Sequence, residues 1–251
     1  MQRKHVPSMG PRYWAALSVV SVFGANLGDF CSHNLHLGHA WGLPPMAALL
    51  GVILIAERRD SSWNQAYYWL AIIVIRAAAT NLADLVTLDL RLGRVWAVAG
   101  LTLLLALALI LGRPPSSIAV DESRGNKEPA ALPNTDARYW TAMLIAGTLG
   151  TVLGDVGSFG LGLGSGNASL ALSAVLAAIL YAGSRGLLAR SWYYWSTIVA
   201  VRAAGTAVGD FLAGSRALNL GLPLSTLCTG VLFTALVLAW KDQASHGLRT
   251  G

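Results

Sequence analysis

Charge is what this chain has least of. Only 12% of its 251 residues are Asp, Glu, Lys or Arg, against roughly a quarter in soluble domains. Hydrophobic residues make up 55%, and the mean hydropathy is +0.55. A soluble globular surface cannot be built from that composition, so the chain reads as a membrane protein. Cysteine is also scarce: Cys31 and Cys228 lie far apart, in or beside apolar segments, with no C-x-x-C and no framework spacing, which excludes a disulfide scaffold and leaves two buried thiols. Catalytic signatures are missing too, with no H-E-x-x-H, no G-x-S-x-G and no phosphate loop, so no enzyme and no cofactor are expected. The net charge of +6 does not form a basic patch interleaved with aromatics. It falls in short clusters between apolar segments, which fits membrane topology and excludes nucleic acid as a partner.

What is present is a repeat. Tyr-Trp pairs open four apolar stretches, at Tyr13-Trp14, Tyr68-Trp69, Tyr139-Trp140 and Tyr194-Trp195, and sixteen residues after each Tyr comes an acid: Asp29, Asp84, Asp155 and Asp210. Small residues stand five and one before each acid, as Gly24/Gly28, Ala79/Ala83, Gly150/Gly154 and Gly205/Gly209. A Leu-x-Leu-Gly follows at Leu35 to Gly38, Leu90 to Gly93, Leu161 to Gly164 and, two residues later than in the others, Leu218 to Gly221. The starts are 55, 71 and 55 residues apart, so two units make a half and the halves repeat at 126. A fixed period of this kind settles the architecture.

Each unit supplies two spanning helices, expected at about Tyr13–Phe30, Trp41–Ala56, Tyr67–Val86, Val95–Leu111, Tyr139–Gly157, Ala168–Ala182, Trp192–Phe211 and Leu222–Trp240. Eighteen residues rise about 27 Å, close to the hydrocarbon thickness. The second helix is entered through Pro44-Pro45, and Gly157 to Gly166 reads as a flexible turn. Residues 1–112 form the first half, 113–137 a polar linker too poor in apolar residues to order itself, and 138–251 the second half. The fold class is therefore all-α integral membrane, eight transmembrane helices as four parallel two-helix repeats, with the odd helices around the axis of a pseudo-four-fold bundle. Arg3, Lys4 and Arg12 before the first apolar run resemble a signal peptide, but cleavage would remove one of four repeated acids. Thirteen of the Lys and Arg residues fall on the side of both termini and three on the other, which puts the termini in the cytoplasm. The Tyr-Trp pairs are then expected at the cytoplasmic interface.

Sixteen residues of helix place each Asp about 24 Å above its Tyr, all at one level near the outer face. A ring of four acids within spanning segments resembles a cation site or filter. The competing reading is that each Asp caps its own hairpin turn. Arg76 and Arg202 lie eight residues after Tyr68 and Tyr194, near midplane, where Ser21 and Gly147 hold the matching positions. They serve either an internal ion-pair lattice or the permeation path. Four ionised Asp and two Arg leave a charge of minus two, which suits a divalent cation or shared protons. Cys31, His33, His36 and His39 cluster in the first unit only, their counterparts in the third being Phe159, Gly162 and Ser165 for the three His. They read as a metal site for Zn, Ni, Co or Cu or as a solvated loop.

The four Trp residues, the Gly/Ala-Asp pairs and segments such as Trp195 to Phe211, W-S-T-I-V-A-V-R-A-A-G-T-A-V-G-D-F, resemble a bacterial inner-membrane family of four tandem two-helix repeats with a characteristic Trp, a repeat of unknown function. The resemblance implies eight helices in a bacterial inner membrane and supplies no substrate. The leading expectation is a cation transporter or channel, with the lipid bilayer and a small ion or solute as partners, a divalent metal ion as substrate, the four Asp as its pathway and the two Arg balancing charge. An anion or small-solute carrier using the Arg pair, and a non-transporting scaffold or sensor, stand as alternatives.

Overall fold

The computed structural model describes residues 6–60, 64–111, 135–188, 190–214, 218 and 220–247. Most of the expected linker, 113–137, and Arg216 of the last outer connection lie outside them. Among the described residues eight α-helices follow in order: α1 Pro11–Asp29, α2 Gly38–Arg59, α3 Ala66–Asp84, α4 Arg94–Leu111, α5 Ala137–Asp155, α6 Gly164–Ser184, α7 Arg190–Gly214 and α8 Gly221–Gly247. All eight are long and apolar enough to cross a membrane. Starts are set locally. Pro11 opens α1, where its missing N–H costs nothing, and Asp136 caps α5 by accepting from the Tyr139 N–H at 2.9 Å.

The odd helices make a closed inner ring in which α1 packs on α3, α3 on α5, α5 on α7 and α7 on α1. Between 50% and 67% of each odd spanning window is buried, against 11% to 17% for the even ones, so the even helices face lipid. Small residues permit the ring. A Cβ at Gly28 would meet the Ala77 carbonyl of α3 at 2.8 Å, and one at Gly154 would meet the Ala203 carbonyl of α7 at 3.0 Å. The small pair of each unit thus faces the inner helix of the next, the close-approach role of such pairs in membranes.

The outer helices pack chiefly on the inner helix of the next unit, and among the described residues only α8 also lies against its own partner. Thus α2 lies on α3, α4 on α5, α6 on α7, and α8 on α1 as well as α7. Each unit therefore opens like a V and hands its second arm to its neighbour.

Three departures from the expected boundaries have local causes. In units one to three the helix does not stop at the Asp but runs on through one π-helical turn, Phe30–Asn34, Leu85–Asp89 and Val156–Gly160. The turn to the outer helix is then made at a left-handed residue, His36 (φ 56°), Arg91 (φ 54°) or Gly162 (φ 67°), the x of Leu-x-Leu-Gly. As a result the outer helices begin early: α2 starts at Gly38 with Pro44 and Pro45 inside it, and α6 starts at Gly164. Most of the Gly157 to Gly166 stretch is accordingly helical and not a flexible turn.

Candidate functional site

All four repeated acids line one cavity. Asp29, Asp84, Asp155 and Asp210, each half-buried, surround a space of about 410 Å³ that also touches Ala25, Thr80, Thr151, Thr206, His33 and Arg94. The capping alternative is not realised, because Asp29, Asp84 and Asp155 continue in helical geometry and make no side-chain cap. Carboxylates at a π-helical turn are free to point inward, and such turns recur at functional positions. Asp210 Oδ2 is buried without a hydrogen-bond partner among the described residues.

One helical turn below the acids lies a hydroxyl floor. Thr80, Thr151 and Thr206 each stand four residues before an Asp, with Ala25 in the first unit. Arg76, fully buried, closes this floor from beneath. Its Nη1 donates to Thr80 Oγ1 at 2.7 Å and Thr151 Oγ1 at 2.8 Å, and its Nη2 donates to Thr206 Oγ1 at 2.7 Å. Its Nε reaches the Ser21 carbonyl at 3.1 Å and Oγ at 3.3 Å. Every nitrogen is satisfied by neutral oxygens from four helices. No ion pair joins Arg76 or Arg202 to a carboxylate among the described residues, so the expected ion-pair lattice is replaced by hydroxyl and carbonyl contacts.

Arg202 is equally buried, yet none of its three nitrogens has an acceptor among the described residues. It lies within electrostatic reach of the four repeated tyrosines.

Those tyrosines correct a second expectation. They are not an interfacial belt. Their hydroxyls turn inward and close a cycle, Tyr13 to Tyr68 at 2.8 Å, Tyr68 to Tyr139 at 2.8 Å, Tyr139 to Tyr194 at 2.9 Å and Tyr194 to Tyr13 at 3.2 Å. Around the cycle each tyrosine also packs on the next unit's tryptophan, Tyr13 on Trp69, Tyr68 on Trp140, Tyr139 on Trp195 and Tyr194 on Trp14. All eight rings are buried. The pairing of an apolar ring with a satisfied hydroxyl is what a buried tyrosine requires, and the assembly plugs the end of the axis opposite the acids.

The first-unit cluster is dispersed. Cys31 packs against the apolar core, and His36 occupies the left-handed turn with its Nδ1 at 3.0 Å from the Asn34 carbonyl. His33 and His39 do meet, ring to ring at 5.4 Å, and His39 Nδ1 lies 3.1 Å from both oxygens of Asp89, with Nε2 at 3.9 Å from Asp84. The four residues taken as a metal site are thus not brought together, and among the described residues no group of three His, Cys, Asp or Glu is placed to hold a metal ion. Cys228 is exposed on the outer face and not buried.

The axis has three signatures that recur with the unit: aromatic pair, small-residue pair and acid. The sequence profile of a family described as Repeat of Unknown Function (DUF347) matches residues 138–185 and again 193–244. Units three and four match the DUF347 repeat. The two DUF347 matches each take in one aromatic pair, one acid and both arms of one V, so the boundaries of the repeat coincide with those of the structural unit. No curated protein matches the chain, and no solved structure does. The hydroxyls that close the axis carry their own sequence signal, since Thr80, Thr151 and Thr206 recur at one register position in three units, four residues before the acid.

Proposed function

We propose that the protein is a gated cation transporter of a bacterial inner membrane, non-enzymatic, with both termini cytoplasmic and a divalent metal ion as substrate. The observation that carries this reading is the single cavity lined by all four repeated carboxylates. Ionisable groups inside spanning helices are costly and ordinarily mark an ion path. Four carboxylates on a hydroxyl floor offer the oxygen donors a hard divalent cation takes, and the buried Arg76 beneath that floor offsets part of their charge. The tyrosine cycle supports a gated carrier over an open pore, since a permeant ion must part it. His33, which lines the cavity, and His39 beside Asp84 add imidazole nitrogen to the oxygen donors, which suits Zn, Ni, Co or Cu.

Purified protein in liposomes, assayed for uptake of Mn, Ni, Co, Zn, Cu, K and protons, tests the proposal. Flux of at least one divalent ion is expected, with a comparable loss in each of Asp29→Asn, Asp84→Asn, Asp155→Asn and Asp210→Asn. Absence of flux across the whole series, or flux indifferent to all four substitutions, overturns it. Uptake of an anion that survives Asp-to-Asn and fails with Arg76→Gln supports the carrier of opposite sign.

A further inference from the structure

The half repeat carries Arg76 onto Arg202, and the same shift explains why their surroundings differ. The cradle of Arg76 is Ser21, Thr80, Thr151 and Thr206. Moved by half the molecule, these positions become Gly147, Thr206, Ala25 and Thr80. Two have no hydroxyl and the other two already accept from Arg76. Both arginines nevertheless leave their helices at equivalent places, since a Cβ built at Gly24 would meet Arg76 and one built at Gly150 would meet Arg202. From there the heads part. Arg76 reaches forward to Thr80, one turn further along its helix, whereas Arg202 lies toward the tyrosines, the lean that helical side chains ordinarily take.

Arg202 is 0% exposed, and Nε, Nη1 and Nη2 are all without an acceptor among the described residues. An arginine keeps its proton, and an uncompensated charge in such a place costs several kcal/mol. The tyrosine cycle does not compensate it, because its hydroxyls bond one another and none accepts a hydrogen bond from the guanidinium. Asp210 is eight residues on, roughly 12 Å along the helix, and Arg76 lies between the two layers. Buried polar groups left without a protein partner call for an ion or water, and a full charge calls for an ion.

We propose that Arg202 holds a small monovalent anion, of halide size, on the bundle axis between the Arg76 layer and the tyrosine cycle. The helices are close-packed at this level, where a Cβ at Gly147 would come within 2.8 Å of Ala79 and one at Gly205 would collide with Ser21, which favours a small anion over a large one. The single charge follows from the single guanidinium. This anion site is distinct from the carboxylate cavity, and its readout is binding and not flux, so it stands or falls apart from the transport reading.

The test is thermal unfolding of the full-length protein in detergent as gluconate is replaced by chloride at constant ionic strength. The wild type is expected to show a saturable rise of about 5–10 °C by a hundredfold excess over Kd. Arg202→Met should unfold at a midpoint independent of chloride. A chloride-indifferent wild type, or an unchanged chloride response in Arg202→Met, overturns the proposal. If Arg202→Met does not fold, bromide-loaded crystals of the wild type decide: an anomalous peak at the guanidinium supports the site, and its absence overturns it. A tyrosinate absorbance band at neutral pH would overturn it as well, since the counter-charge would then be a ring oxygen.

Discussion

Replacing Thr206 with Val removes one oxygen from a buried cation and changes almost no volume. Arg76 Nη2 would lose its 2.7 Å acceptor and keep only the Arg202 carbonyl, at 3.5 Å. A hydrogen bond to a charged group contributes about 1.5–3 kcal/mol, so Thr206→Val should cost about 2 kcal/mol, or about 4–8 °C in unfolding midpoint for a chain of this size. Arg76→Met behaves differently, although it deletes far more polar contact. Without the guanidinium, Thr80, Thr151 and Thr206 still donate to carbonyls four residues back, at 3.3, 3.2 and 3.1 Å, so no group is orphaned, and replacing a buried charge by an apolar chain is often neutral or stabilising. In the double variant the Thr206 substitution should cost close to nothing, a coupling of about 2 kcal/mol. Reversible unfolding in mixed micelles, followed by tryptophan fluorescence, measures all four corners of the cycle. If Arg76→Met lowers the midpoint as far as Thr206→Val, or if the two effects simply add, the cradle is not what holds this layer together.

Glycines separate into two classes that the same assay resolves. Gly28→Ala and Gly154→Ala push a methyl against backbone carbonyls at 2.8 and 3.0 Å and should cost about 1–3 kcal/mol by overpacking, while Gly51→Ala and Gly100→Ala, with nothing within 4 Å, should raise stability by about 0.5–1 kcal/mol through helix propensity. Tyr68→Phe and Tyr139→Phe each break two of the four hydroxyl contacts at the closed end; an increased passive cation leak from liposomes is expected, and a leak equal to that of the wild type would show that the cycle is no gate.

The number of helices, their pairing into units and the level of the acids were legible because they rest on register, and register survives translation into helix geometry unchanged. The fate of Tyr13, Tyr68, Tyr139 and Tyr194 was not. An amphipathic ring at a helix end satisfies the interface and the bundle interior equally well in one dimension, and only the closure of four copies around an axis lets each hydroxyl find another. The same holds for Arg76. Pairing with a carboxylate is the cheapest local guess, but three threonines from three helices converge on it in space, and none is near it in sequence except Thr80. The proline pair misled for a related reason: Pro44 and Pro45 suggest a helix entrance, yet the left-handed residue His36 ends the turn earlier and the helix has already begun. The dispersal of Cys31 and His36 reflects helical and turn geometry that closeness in sequence conceals.

Because α8 lies on α1, the ring is sealed between the first and the last of the eight helices. Synthesis runs from the N-terminal side, so α1 is made well before α8 and waits for it before its outer flank is covered. The inner contact between α1 and α7 is also late. Until then the growing protein is an open arc whose acids already lie inside the membrane but do not yet share a cavity. Maturation thus ends in one closing event, and a truncated chain, however many complete units it contains, has no finished site.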